Sequence, residues 1–108
     1  RDYIHVVDLA EGHRAALECL LTEAPQLLTL NLGSGQGKSV LEMVQAMEAA
    51  SGRYIHYAIT GRRPGDAAIS VADPSKAAER LGWRTQRGLE DVCRDGWAWQ
   101  QQNPEGYA

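Results

Sequence analysis

The apolar run Leu27 to Leu32 empties directly into Gly33-Ser34-Gly35-Gln36-Gly37-Lys38-Ser39, and few folds accommodate that order. A short apolar run bounded by glycines reads as a buried strand, and glycines this dense demand a tight turn. Ser39 with Glu42 three residues on makes a capping box, so a helix opens directly out of the turn. Strand, turn and helix in that order suggest an α/β unit. The glycines invite a phosphate-loop reading, and the count defeats it. A Walker A loop needs four residues between its first glycine and Gly-Lys-Ser, which puts Leu32 at that glycine and leaves Gly33 one residue too close. A dinucleotide fingerprint fails as well, because its third glycine would fall on Lys38. The turn is expected to be structural, its glycines supplying positive φ and letting backbones approach.

Other elements follow from periodicity and punctuation. Asp8, with Glu11 three residues on, is expected to cap a helix whose stripe is Leu9, Ala16, Leu17, Leu20 and Leu21 and which stops near Pro25. Val40, Leu41, Val44 and Met47 line the helix after the glycine turn, and Gly52 is placed to end it. A second strand is expected over Tyr54 to Ile59, and Ala67 to Ala72 runs extended. Asp73-Pro74-Ser75 starts a short helix that Gly82 closes at Leu81. A last helix is predicted over Leu89 to Gln102, without a clean apolar stripe. The expected class is α/β, a small mixed domain of three or four helices with a few short strands, filling residues 1–108 as one unit.

Charge and cysteine usage narrow the function classes. A formal charge of -3 argues against nucleic acid, whose backbone is bound by clustered Lys and Arg. No apolar run approaches the roughly 20 residues of a membrane helix, so no membrane partner is expected. Cys19 and Cys93 lack the spacing of a metal or redox pair and read as buried free thiols of a cytoplasmic protein. His5, His13 and His56 are too scattered to suggest a metal site. Trp83, Trp97 and Trp99 are better read as packing anchors than as a sugar platform.

The loop Gly61-Arg62-Arg63-Pro64-Gly65-Asp66 sets a guanidinium fork suited to phosphate beside a carboxylate suited to a diol. A nucleoside diphosphate offers both groups. An exposed turn with a local Arg-Asp ion pair accounts for the same residues and is weighted ahead of a binding site.

Several motifs resemble, in order, the UDP-glucose 4-epimerase family of extended short-chain dehydrogenase/reductases. They are the opening Arg1-Asp2-Tyr3-Ile4-His5-Val6-Val7-Asp8, the Asn31 to Gly37 turn, the paired-arginine loop, the Asp73-Pro74-Ser75 helix start, and the tail from Trp97 to Tyr107. The tryptophan-rich tail narrows the match to 4-epimerases. The resemblance implies a carboxy-terminal substrate domain in which Arg1 and Arg63 contact the UDP diphosphate and Asp66 holds ribose hydroxyls. It also implies that Ser70 lines the sugar pocket, where a small side chain leaves room for an N-acetylated sugar.

The family's chemistry needs a tyrosine four positions before a lysine, together with NAD. Tyr3, Tyr54 and Tyr57 are followed at that spacing by Val7, Ala58 and Gly61, so no catalytic pair is present. No cofactor is expected on this chain itself; NAD is expected on an absent amino-terminal Rossmann domain. The opening on Arg1 reads as a cut from a longer enzyme, inactive alone and prone to self-association through the face its partner domain would cover. The alternative is a stand-alone, noncatalytic module that binds a nucleotide sugar or a protein.

Overall fold

The computed structural model describes residues 1–107. Four helices account for its regular structure: α1 (Val6–Thr22), α2 (Val40–Ser51), α3 (Ser75–Leu81) and α4 (Leu89–Gln102). They pack as two pairs, α1 with α3 and α2 with α4.

The expected mixed α/β class is overturned: there is no strand among the described residues. Residues 27–32, 54–59 and 67–72 run without regular structure and exchange no backbone hydrogen bonds with another segment. A strand exists only as part of a ladder, because its N–H and C=O groups point sideways and need a neighbour. Apolar content and β-branching therefore produced extended segments with nothing to pair with. The run at Leu28, Leu30 and Leu32 keeps the strand periodicity, since these three are partly covered while Leu27, Thr29 and Asn31 are exposed.

Helix boundaries follow the local chemistry. The Ser39–Glu42 capping box forms in full, with Ser39 N donating to Glu42 Oε2 at 2.7 Å and Glu42 N donating to Ser39 Oγ at 3.1 Å. Gly52 and Gly82 end α2 and α3 in the left-handed conformation, at φ of 67° and 62°. Asp73 accepts from Ser75 N at 3.0 Å, ahead of α3. The start of α1 differs from expectation. His5, not Asp8, is the cap, its Nδ1 accepting from Val7 N at 3.1 Å. Because Nδ1 accepts, the ring proton lies on Nε2, which donates to Asp95 at 3.1 Å and ties α1 to α4.

Asp8 is taken up elsewhere. It lies fully buried in the first turn of α1 and accepts from Gln86 N, Arg87 N and the Arg87 guanidinium, joining α1 to the segment that leads into α4. Glu11 also engages that guanidinium, and with Asp8 it holds Arg87 above its ordinary pKa. Trp83 packs over this knot, buried, with Nε1 donating to Asp8 O at 3.0 Å. It is a packing anchor, as expected. Trp97 is half-buried beneath the Arg53 guanidinium, whereas Trp99 is exposed and leans on Tyr107. Cys19 and Cys93 are buried free thiols.

The packing leaves much apolar surface open. The accessible area is 8221 Å², against about 5,900 Å² for a compact chain of this mass. The radius of gyration is 16.9 Å, against about 13 Å. Leu17, Leu20 and Leu21 recur at helical spacing on α1 and are exposed, as is Leu27. No described helix is long and apolar enough to cross a membrane.

Candidate functional site

The site is assembled from three irregular segments that meet at the amino-terminal end of the chain. Arg1 and Lys38 exchange both backbone hydrogen bonds, Arg1 N to Lys38 O and Lys38 N to Arg1 O, each 2.8 Å. This seats the opening residues against the end of the glycine turn. Arg1 then reaches the third segment, its Nη1 donating to Ala67 O at 2.7 Å.

The glycine turn does hold an anion, and the anion belongs to the chain. Asp2 Oδ1 accepts from Ser34 N at 3.0 Å and Ser34 Oγ at 2.6 Å, while Oδ2 accepts from Gly35 N at 3.0 Å and Ala72 N at 3.2 Å. Burial opposes ionisation of Asp2, but these hydrogen bonds outweigh it and hold the carboxyl below its ordinary value. The structural reading of the glycines holds at two positions. Gly35 adopts φ of 73°. A Cβ at Gly33 would come within 2.5 Å of Ala72 Cβ and 2.7 Å of Asp2 Oδ2, so that turn and the 70–72 segment touch only because Gly33 has no side chain.

This clasp borders an open cleft of about 400 Å³ lined by Arg1, Asp2, Asn31, Ser70 and Asp73 among others. Two of the four residues singled out by sequence, Arg1 and Ser70, therefore share one cleft. The other two do not line it. Arg63 Nε pairs with Asp66 Oδ2 at 3.1 Å on an exposed turn around Gly65, whose φ is 84°, and the Arg63 side chain is 83% exposed. This is the local ion pair weighted ahead of a binding site, and Ala67 directly after Asp66 is the residue whose carbonyl Arg1 holds. A bigger hollow of about 860 Å³ between α2 and α4 contains none of the four.

Asp2 was missed by the sequence reading. It carried no local signal, since its partners stand 32, 33 and 70 positions away. The described residues do not make a dinucleotide site at the glycine turn, because the Ser34 and Gly35 amides that would face a pyrophosphate are occupied by Asp2. No group of three or more metal-ligating side chains gathers among the described residues.

Residues 1–96 match the family model described as GDP-mannose 4,6 dehydratase, and the chain belongs to that family. Within it the similarity is to UDP-glucose 4-epimerases, as the ordered motifs suggested. The UDP-glucose 4-epimerase of Dictyostelium discoideum is 53% identical over 108 residues, covering 100% of this chain and 31% of that protein. That of Bacillus subtilis is 55% identical over 107 residues, covering 99% of this chain and 31% of that protein. The crystal structure of the Bifidobacterium longum UDP-glucose 4-epimerase in complex with NAD+ and UDP superposes with a TM-score of 0.91. It is 47% identical, and the match covers 99% of this chain and 31% of that one. The chain thus spans about a third of the length of the relatives it matches.

Proposed function

We propose that this chain is the carboxy-terminal, UDP-sugar-binding portion of an enzyme that interconverts UDP-glucose and UDP-galactose. NAD and the acid/base residues belong to a dinucleotide-binding domain outside it. The observation that carries this reading is the cleft shared by Arg1 and Ser70, with Arg1 also holding Ala67 O at the end of the paired-arginine loop, in a chain similar over nearly its whole length to 4-epimerases.

Arg1 keeps donors free for diphosphate oxygens while Nη1 rests on Ala67 O. Arg63 turns from Asp66 to the same diphosphate, and Asp66 accepts from the ribose hydroxyls. Opening their exposed ion pair costs little, on the order of 0–1 kcal/mol, so a ligand with two phosphates competes for both groups. Ser70 lines the sugar end, and its small side chain leaves room for an N-acetyl group. The chain alone is not an enzyme, since no tyrosine-lysine pair is present to move a proton. Its uncovered area, about 2,300 Å² beyond a compact chain, exceeds the roughly 800 Å² per partner of an ordinary interface. It supports pairing with that domain, or self-association in its absence.

The test is a fusion of this chain behind the dinucleotide-binding portion of the Bacillus subtilis relative. The fusion is expected to interconvert UDP-glucose and UDP-galactose. Combined Arg63→Ala and Asp66→Ala should raise its KM for UDP-glucose about tenfold or more. A folded fusion without activity, or turnover by the 108-residue chain with NAD alone, contradicts the proposal.

A further inference from the structure

Among the described residues, the Asp2 side chain joins the glycine turn to the 70–72 wall of the cleft. It follows Arg1 in the chain, fills the glycine turn through Ser34 and Gly35, and takes the amide of Ala72, two residues beyond Ser70. The two carboxylate oxygens receive four donors, which fixes the carboxylate in plane and in rotation. The cleft wall at 70–72 makes no backbone hydrogen bond to another segment, so the Ala72 N–H to Asp2 contact is its polar tether. Gly33 presses the same wall from behind at a distance that admits no side chain. Arg1 completes the frame from the other end of the segment by holding Ala67 O.

We propose that Asp2 is the positioning residue of this cleft: an internal anion seated in a glycine turn, clamping the wall that carries Ser70 at the spacing from Arg1 that a nucleoside diphosphate sugar requires. Asp2 borders the cleft, but its carboxylate oxygens are taken up by four donors of the chain. It acts through Ser70 and Arg1, and the ligand assignment rests on the function proposed above. The glycine turn, which by form could have bound a phosphate, instead uses its amides to build the site beside it.

A carboxylate held only by hydrogen bonds can be replaced by a free one, which gives the test. In the 108-residue chain, Asp2→Ala vacates the three amides, and formate is small enough to enter. The readout is the ¹H–¹⁵N spectrum of the chain, followed by UDP titration. In Asp2→Ala the Ser34, Gly35, Ser70 and Ala72 amide signals should shift and broaden while those of α2 and α4 hold. UDP binding should weaken by about tenfold or more. Formate, but not chloride at equal ionic strength, should restore both. Ser34→Ala, which removes one of the four donors, should give a smaller change of the same pattern and serves if Asp2→Ala does not fold.

Unmoved Ser70 and Ala72 signals with wild-type UDP affinity overturn the proposal. So does a loss that formate cannot reverse in Asp2→Ala while Ser34→Ala behaves as wild type. If the unsubstituted chain shows no UDP response, the ligand assignment fails, and the free-chain spectra decide the clamp: disorder at Ser70 reversed by formate supports it, and an unmoved Ser70 overturns it.

Discussion

Replacing Asp8 by alanine should be the most damaging single change in this chain. The carboxylate is fully buried and accepts from two backbone amides and one guanidinium. Arg87 is about a third exposed and keeps Glu11, so its guanidinium recovers water and a second carboxylate. The Gln86 and Arg87 amides are part-buried against Asp8, and each stranded donor costs about 1–3 kcal/mol. Removing one partner of a buried ion pair typically costs about 3–5 kcal/mol, so about 3 kcal/mol is expected for Asp8→Ala. The whole chain has roughly 5–15 kcal/mol to lose, and its open packing puts it near the bottom of that range. Urea unfolding followed by circular dichroism and by tryptophan fluorescence measures the loss, the Trp83 indole on the Asp8 carbonyl contributing alongside Trp97 and Trp99. Asp8→Asn keeps one acceptor and should lose about half as much. Glu11→Gln, on the solvent side of the same guanidinium, should lose less than about 1 kcal/mol. A cost under about 1 kcal/mol for Asp8→Ala, or an equal cost for Glu11→Gln, would show that the buried carboxylate does not hold α1 to the 86–87 segment.

The packing and the charges set three further outcomes. Gly33→Ala should destabilise by about 1–3 kcal/mol, because its Cβ would overlap Ala72 and Asp2. Gly96→Ala, inside α4 with nothing near its added methyl, should stabilise by about 0.5–1 kcal/mol; thermal melts of the pair check both signs. The Asp2 carboxyl is held below its ordinary value of 3.8. Its stabilisation is therefore complete above that value, fades as pH falls past it, and is gone below the folded-state value. Asp2→Asn should remove that share of the acid sensitivity; an unchanged slope of stability against pH in the acid range contradicts it.

Local chemistry was legible in the sequence, and pairing was not. The Ser39–Glu42 box, the glycine stops at Gly52 and Gly82, and the span of α4 all depend on residues within a few positions of one another, so composition and spacing suffice. The strands at 27–32 and 54–59 failed because a strand is defined by what lies beside it, and among the described residues nothing does. Asp8 failed as a cap for a related reason: Arg87 lies 79 positions away, and that partner outweighs a local amide. The residue types of Arg63 and Asp66 were readable, and the structure pairs them locally on an exposed turn that does not line the cleft. The shared cleft of Arg1 and Ser70 depends on Asp2, whose partners are all distant.

Calorimetric titration of the chain with UDP asks whether the cleft by itself recognises a nucleoside diphosphate. A site shared with another domain loses that domain's contacts, so the dissociation constant should be about 0.1–1 mM, and combined Arg63→Ala and Asp66→Ala should abolish the heat of binding. Micromolar affinity that survives the double substitution contradicts the site proposed for Arg1, Arg63, Asp66 and Ser70.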